Sequence, residues 1–123
     1  MRGLSGVFVF LQLCGAPALA ADHLATGPRT VIFRFGSVWA VLGFVTTKCN
    51  ATLNDGVLAH FLAIKAQDPE IFGLGYDSSE DSMGYQEKLY GLPRVCKVMN
   101  DLYGPNGTYF PKQATFPVNP AGN

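Results

Sequence analysis

The amino-acid sequence predicts a mostly α-helical protein: one small domain, a bundle of three to four short helices with one disulfide. Three observations predict this fold class. Apolar residues recur at spacings of three and four, as on the buried face of a helix. Glycines and prolines stand where such helices would begin and end. Two cysteines, Cys49 and Cys96, bracket most of this patterned region.

Residues 1–20 have the layout of a signal peptide. Arg2 precedes an apolar run over residues 7–13, and Ala18 and Ala20 occupy the two small-residue positions of a cleavage signal. Cleavage after Ala20 would remove the third cysteine, Cys14. Lipid attachment at Cys14 is an alternative, but the bulky leucine ahead of this cysteine disfavours it. We therefore expect a protein that is exported to the periplasm or secreted.

Composition and charge narrow the function classes. The 123 residues carry nine basic and nine acidic side chains, for a formal net charge of zero. Because no basic stripe is present, we expect no nucleic-acid partner. In an oxidising compartment the pair Cys49 and Cys96 is expected to form a structural disulfide rather than catalytic thiols. The long loop that it closes gives a stabilisation of on the order of 4 kcal/mol at most.

Residues 21–30 are expected to form a flexible leader, and residues 31–104 the helical domain. Residues 31–47 are the most apolar part of that domain and allow three interpretations. Their spacing of three and four predicts a helix that places Cys49 on its buried face. Their β-branched content also permits a strand, which would make the fold α+β. A membrane span is not favoured, because Arg34 interrupts the run and roughly 20 apolar residues are needed.

The segment 55–67 predicts the clearest helix. Asn54 would be its N-cap, Asp55 would lie in its first turn, and the Asp68-Pro69 pair would end it. The residues predicted to lie on one face of this helix are Val57, Leu58, Phe61, Leu62 and Lys65.

The second half of the chain predicts a loop, two helices and a tail. Glycines make residues 69–79 a loop with apolar anchors over the edge of the core, and a capping pattern predicts a short helix over 78–90. Pro93 and Gly104 mark the ends of a last helix. The Pro-rich tail, residues 105–123, is expected to be extended or disordered. The predicted apolar stripe of the last helix is Val95, Cys96, Met99, Leu102 and Tyr103.

No motif for chemistry is complete. The glycines near residue 74 lack the rest of a dinucleotide fingerprint, the acidic segment 77–82 lacks the glycine and glutamate of a calcium loop, and no zinc spacing occurs. We therefore expect no cofactor, no metal site and no catalytic residue. Two glycosylation sequons, at Asn50 and Asn106, matter only in a eukaryotic source.

These observations favour a non-enzymatic binding or interaction module with a protein partner. Aromatic side chains could contact that partner, with Phe72 and Tyr76 as the candidate residues. One alternative is a small cell-envelope hydrolase that uses His60 or a glutamate as acid or base. Another is a membrane-associated accessory subunit anchored by residues 31–47. The aromatic residues of the tail that could also contribute are Tyr109, Phe110 and Phe116.

Overall fold

The fold is taken from a computed structural model that describes residues 27–117; the expected signal peptide and the first part of the expected leader lie outside them. The mostly α-helical fold class is confirmed, and so is the helix predicted for residues 31–47; the alternative of a strand there is wrong. The elements in chain order are α1 (Pro28–Lys48), β1 (Thr52–Leu53), α2 (Val57–Gln67), α3 (Pro69–Tyr90), α4 (Leu92–Tyr103) and β2 (Ala114–Thr115).

Two glycines bring α1 and α3 into backbone contact. A Cβ atom added to Gly36 would lie 2.0 Å from the carbonyl oxygen of Phe72, and one added to Gly75 would lie 2.0 Å from that of Phe33. No other residue type fits at either position, because any side chain would overlap the backbone of the facing helix. This contact forms the centre of the bundle.

Side-chain contacts show that α1 and α3 run in the same direction. The hydroxyl groups of Ser37 and Ser79 are hydrogen-bonded in the first halves of the two helices. At their C-terminal ends, Lys48 Nζ lies 2.7 Å from Glu87 Oε1. Helix α2 therefore returns the chain from the end of α1 to the start of α3.

The predicted disulfide between Cys49 and Cys96 is present, with the two Cα atoms 5.6 Å apart. It joins the residue that follows α1 to the second turn of α4. Both cysteines are fully buried. The bond is therefore part of the core, where it links the first helix to the last.

The predicted loop at residues 69–79 is wrong, because α3 is one continuous helix from Pro69 to Tyr90. It begins at Asp68, whose side chain accepts a hydrogen bond from the backbone N–H of Ile71 at 3.1 Å. Pro69 suits the first helical position, where its missing N–H has no partner to lose. The capping pattern that predicted a helix start at residue 78 has Asp77 as its N-cap. In the structure Asp77 lies inside α3, on its exposed side.

The predicted N-cap of the second helix is also wrong. Helix α2 begins at Val57, after Gly56 in the left-handed conformation (φ 84°), so Asp55 lies outside the first turn. Asn54 instead holds the tail: its side-chain N–H donates to the carbonyl of Lys112 at 2.8 Å, and its oxygen accepts from the Thr115 hydroxyl at 2.7 Å.

The tail, which was expected to be extended or disordered, packs against the helices as far as residue 117 and includes the short strand β2. Strand β2 pairs antiparallel with β1, with Leu53 opposite Ala114. Ala114 is fully buried, and the rings of Phe110 and Phe116 pack against the core. Residues 118–123 lie outside the described part of the chain.

Candidate functional site

The outer face of α2, defined as Leu58, Ala59, Leu62, Ala63 and Ala66, is apolar and exposed. Leu58 is 53% exposed and Leu62 is 48% exposed. These residues are spaced one, three or four positions apart, so they form one contiguous strip on the helix. The opposite side of α2 is also apolar, and it carries the two buried residues, Val57 and Phe61.

Of the five residues predicted to share one face of α2, two are buried and three are exposed. Val57 and Phe61 are buried, whereas Leu58, Leu62 and Lys65 are exposed. Since α2 is apolar around most of its circumference, its sequence does not show which side would face the core. The contacts of Phe61 decide this: its ring packs against those of Phe35 and Trp39 on α1.

The two residues predicted to contact a partner have different environments. Phe72 is 2% exposed, because it lies on the side of α3 that faces Gly36, and its side chain is not accessible to a partner. Tyr76 is half-buried and lines two surface grooves. Of this predicted pair, only Tyr76 remains a candidate for binding.

The larger groove beside Tyr76 runs between α1 and α3 and has a volume of about 370 Å³. Its charged groups largely neutralise one another, because the ion pair of Lys48 with Glu87 forms one end. Lys48 Nζ also lies 5.7 Å from the centroid of the Phe44 ring. Glu80 is the remaining charged residue of the lining.

The smaller groove lies on the other side of Tyr76, has a volume of about 280 Å³ and receives residues from three helices. Trp39 contributes from α1, and Lys65 contributes from α2. Its other lining residues are Phe72, Gly73 and Tyr76 of α3.

His60, the predicted acid or base of the hydrolase alternative, is exposed and lies edge-on to aromatic rings. Its ring centroid is 5.6 Å from that of Phe35 and 6.0 Å from that of Phe61. Within residues 27–117 no carboxylate forms a hydrogen bond with this imidazole. A general base needs a partner that orients it, so the geometry of His60 gives the hydrolase hypothesis no support.

Glu70, Glu80 and Glu87, the glutamates that could supply the paired carboxylates of a glycosidase, all lie on α3. Helix geometry separates Glu70 from Glu80 by about 15 Å along the axis, and Glu80 from Glu87 by about 10 Å. Paired glycosidase carboxyl groups are about 5 to 9.5 Å apart, and Glu87 is already paired with Lys48. The hydrolase alternative stays a prediction without a defined acid pair.

Other motifs fall on ordinary surface positions. The acidic segment 77–82 lies within α3 and is not a loop. Among the described residues, no group of three or more His, Cys, Asp and Glu side chains could hold a metal ion. Asn50 and Asn106, the sequon asparagines, are both exposed.

Tyr103 is a titratable group that belongs to the core. Burial, with a smaller contribution from Tyr109, raises the pKa of Tyr103 to about 12. The two rings lie edge to face with their centroids 5.9 Å apart. Sequence reasoning placed Tyr103 on the apolar stripe of the last helix, and the structure confirms that position.

Helix α1 has the length and apolar composition of a membrane-crossing segment, with 39% of its most apolar stretch buried in the fold. The core helix of a globular protein meets the same criterion. The accessory-subunit alternative, anchored by residues 31–47, stays a prediction.

A comparison of the chain with protein-family models, curated proteins and solved structures found no match.

Proposed function

We propose that this protein is a non-enzymatic interaction module that is exported and binds a partner protein through the outer face of α2. One observation carries the proposal. Helix α2 is apolar around most of its circumference, and helices that are hydrophobic all round are normally buried, yet α2 buries only the side that carries Val57 and Phe61. A partner that covers Leu58 and Leu62 would complete the burial of this helix.

The shape and chemistry of the face indicate the kind of surface that fits it. The three alanines are small and would let another helix approach closely, with the two leucines as the anchoring side chains. Helix α2 has 11 residues and is about 16 Å long, so its outer face is small. A stable interface buries about 800 Å² on each partner, which is more surface than this face supplies. The outer face therefore suits the apolar centre of an interface whose rim extends beyond α2.

The disulfide supports the export part of the proposal. Structural disulfides persist in oxidising compartments and are rare in reducing ones. Intact mass of the protein from its own cells, before and after reduction, would test both points. A chain that begins at Ala21 and gains two alkylatable thiols only on reduction is expected. A chain that retains residues 1–20 would contradict the export assignment.

The binding surface can be tested by site-specific photo-crosslinking. A crosslinking residue in place of Leu62 should give one discrete adduct in the native compartment. The matched control is the same residue in place of Leu74, which is exposed on α3 and should give no such adduct. Equal adducts from both positions, or none from position 62, would overturn the proposal.

A polar variant separates binding from folding. For this test the crosslinking residue is moved to position 59. The double variant Leu58→Gln with Leu62→Gln should abolish the adduct formed from that position. Its unfolding free energy should change by less than about 0.5 kcal/mol, because both side chains are exposed. The control pair is Leu74→Gln with Val98→Gln, which also replaces two exposed apolar residues. It should leave the adduct unchanged.

A further inference from the structure

Trp39 is the only tryptophan of the chain, and it is half-buried in the wall of the smaller groove. The Phe61 ring stacks on it, with centroids 5.1 Å apart and planes inclined by 24°. This stacking fixes the indole against α2. Its remaining surface contributes to the groove, where Tyr76 supplies a second aromatic ring.

The space in the groove is open next to Gly73. A Cβ atom added to Gly73 would have no atom within 4 Å. Binding sites for drug-sized molecules have volumes of about 300 to 1,000 Å³. The volume of about 280 Å³ lies just below this range, so the groove suits a ligand smaller than a drug-sized molecule, such as one ring with a few substituents.

The groove also has a net positive charge. Lys65 is the one charged side chain among its five lining residues, and it forms no ion pair within the described part of the chain. The larger groove differs in this respect, because its lysine, Lys48, is neutralised by Glu87 at 2.7 Å. Of the two grooves beside Tyr76, the smaller one is therefore the one in which aromatic rings lie next to a lysine that forms no ion pair with the described residues.

From this combination we propose that the smaller groove is a binding site for a six-membered ring that carries a carboxylate. The ring packs against Trp39 and Tyr76, and the carboxylate pairs with Lys65. The ring could belong to a sugar acid or to an aromatic acid, since both present an apolar face and an anion. The site is independent of the partner surface proposed above and does not require that surface to function.

The single tryptophan makes binding directly measurable. Glucuronate and benzoate are titrated as probes, with Trp39 fluorescence and the indole N–H resonance as readouts. At least one acid should shift both signals saturably, and its uncharged counterpart, glucose or benzyl alcohol, should bind at least about fivefold more weakly. The acid that binds more tightly identifies the ring type. No response to either acid, or equal binding of the uncharged counterpart, overturns the proposal.

Two variants test the site without disturbing the core. Lys65→Gln should weaken binding of the responding acid about fivefold and remove its salt dependence, whereas Lys97→Gln on α4 should have no effect.

Gly73→Leu would fill the open space and should abolish binding. Because glycine disfavours helices, the fold should not weaken, and circular dichroism checks this. The matched control is Gly84→Leu, at another open position of α3. Unchanged affinity in Lys65→Gln or Gly73→Leu would overturn the site.

Discussion

Helices α2 and α3 both contact α1, but in opposite ways. Helix α3 meets α1 at backbone distance through Gly36 and Gly75, with no room for a single added carbon atom. Helix α2 meets α1 through large aromatic side chains and leaves its other side exposed. The contact of α3 with α1 leaves no room for a larger residue at either glycine. The contact of α2 with α1 leaves the outer face of α2 exposed, where a partner can pack.

This difference separates the part of the molecule that determines its stability from the part that is available for binding. The α1–α3 contact, the disulfide and the folded-back tail form a closed side. The outer face of α2 and the groove beside Trp39 form an open side. Mutations on the two sides should therefore have different consequences, and the four predictions below test the distinction from the largest effect to the smallest.

Removal of the disulfide should have the largest effect. The bond closes a loop with a sequence separation of 47, so Cys49→Ala with Cys96→Ala should lower the unfolding free energy by about 4 kcal/mol. Urea denaturation followed by circular dichroism measures this value. The reduced and alkylated wild-type protein is the control and should be destabilised to a similar extent. A loss below about 1 kcal/mol would show that the closed side does not depend on the bond.

The two sides of α2 should differ by almost as much. Phe61→Ala deletes a fully buried ring and should cost about 4 kcal/mol of unfolding free energy. Leu62→Ala, one position further on the same helix, should change it by less than about 0.5 kcal/mol. The same denaturation experiment measures both variants. Similar losses in the two would mean that the outer face is buried in solution.

The glycine contact can be tested by comparing Gly36 with Gly43, another glycine of α1. Gly36→Ala should lower the unfolding free energy by about 3 kcal/mol, since the new methyl group overlaps the backbone of Phe72. At Gly43 an added Cβ meets nothing within 4 Å, so Gly43→Ala should stabilise the protein by about 0.5 to 1 kcal/mol through helix propensity. Thermal and urea denaturation measure both shifts. Equal effects would disprove the close approach of α1 and α3.

The smallest predicted effect is an alkaline one, at Tyr103. Because the folded protein raises the pKa of Tyr103 to about 12 from an ordinary value of 10.0, its contribution to stability is complete below pH 10. Above pH 10 the unfolded chain loses this proton first, so stability should fall by about 2 to 3 kcal/mol as the pH rises to 12. Denaturation at several pH values measures the decline.

Tyr103→Phe should remove this part of the alkaline decline, because phenylalanine has no proton to lose. Tyr90→Phe is the matched control, since Tyr90 is exposed at the end of α3, and it should follow the wild-type profile. A wild-type profile for Tyr103→Phe would show that Tyr103 is not buried in the folded protein.

Much of the closed side was predictable from the sequence. The three-and-four spacing gave the first helix, the proline and glycine positions gave the last, and the cysteine count gave the disulfide. The spacing and the proline and glycine positions are local signals. The disulfide was predicted because two cysteines in an oxidising compartment are expected to pair. These signals depend little on what the rest of the chain does.

The errors arose where tertiary contacts override local signals. Gly75 indicated a loop, yet it is required inside α3 because α1 passes against it. A loop at residues 69–79 would expose Phe72 to a partner, whereas the continuous helix α3 buries it. The tail lacks a repeating pattern, and its order comes from single distant contacts, such as those of Asn54 and Ala114. No spacing rule within the tail shows these contacts.

The candidate site was the least predictable part. In the sequence the aromatic character of Tyr76 alone marks it as a candidate, whereas no local signal marks Trp39 or Lys65 as a site residue. Their meeting in one groove depends on how three helices cross. The sequence does show that α2 is apolar around most of its circumference, and this is the available signal that one apolar side of it would remain uncovered.

The pairing of the tail with β1 also affects when the fold can form. The hydrogen bond from Thr115 to Asn54 spans 61 positions, and the disulfide partners are 47 apart. Since synthesis proceeds from the N-terminus, neither link can form until most of the chain has left the ribosome. Contacts this distant in sequence also slow folding. The chain therefore remains open while it emerges from the ribosome, and its C-terminal segment closes the fold last.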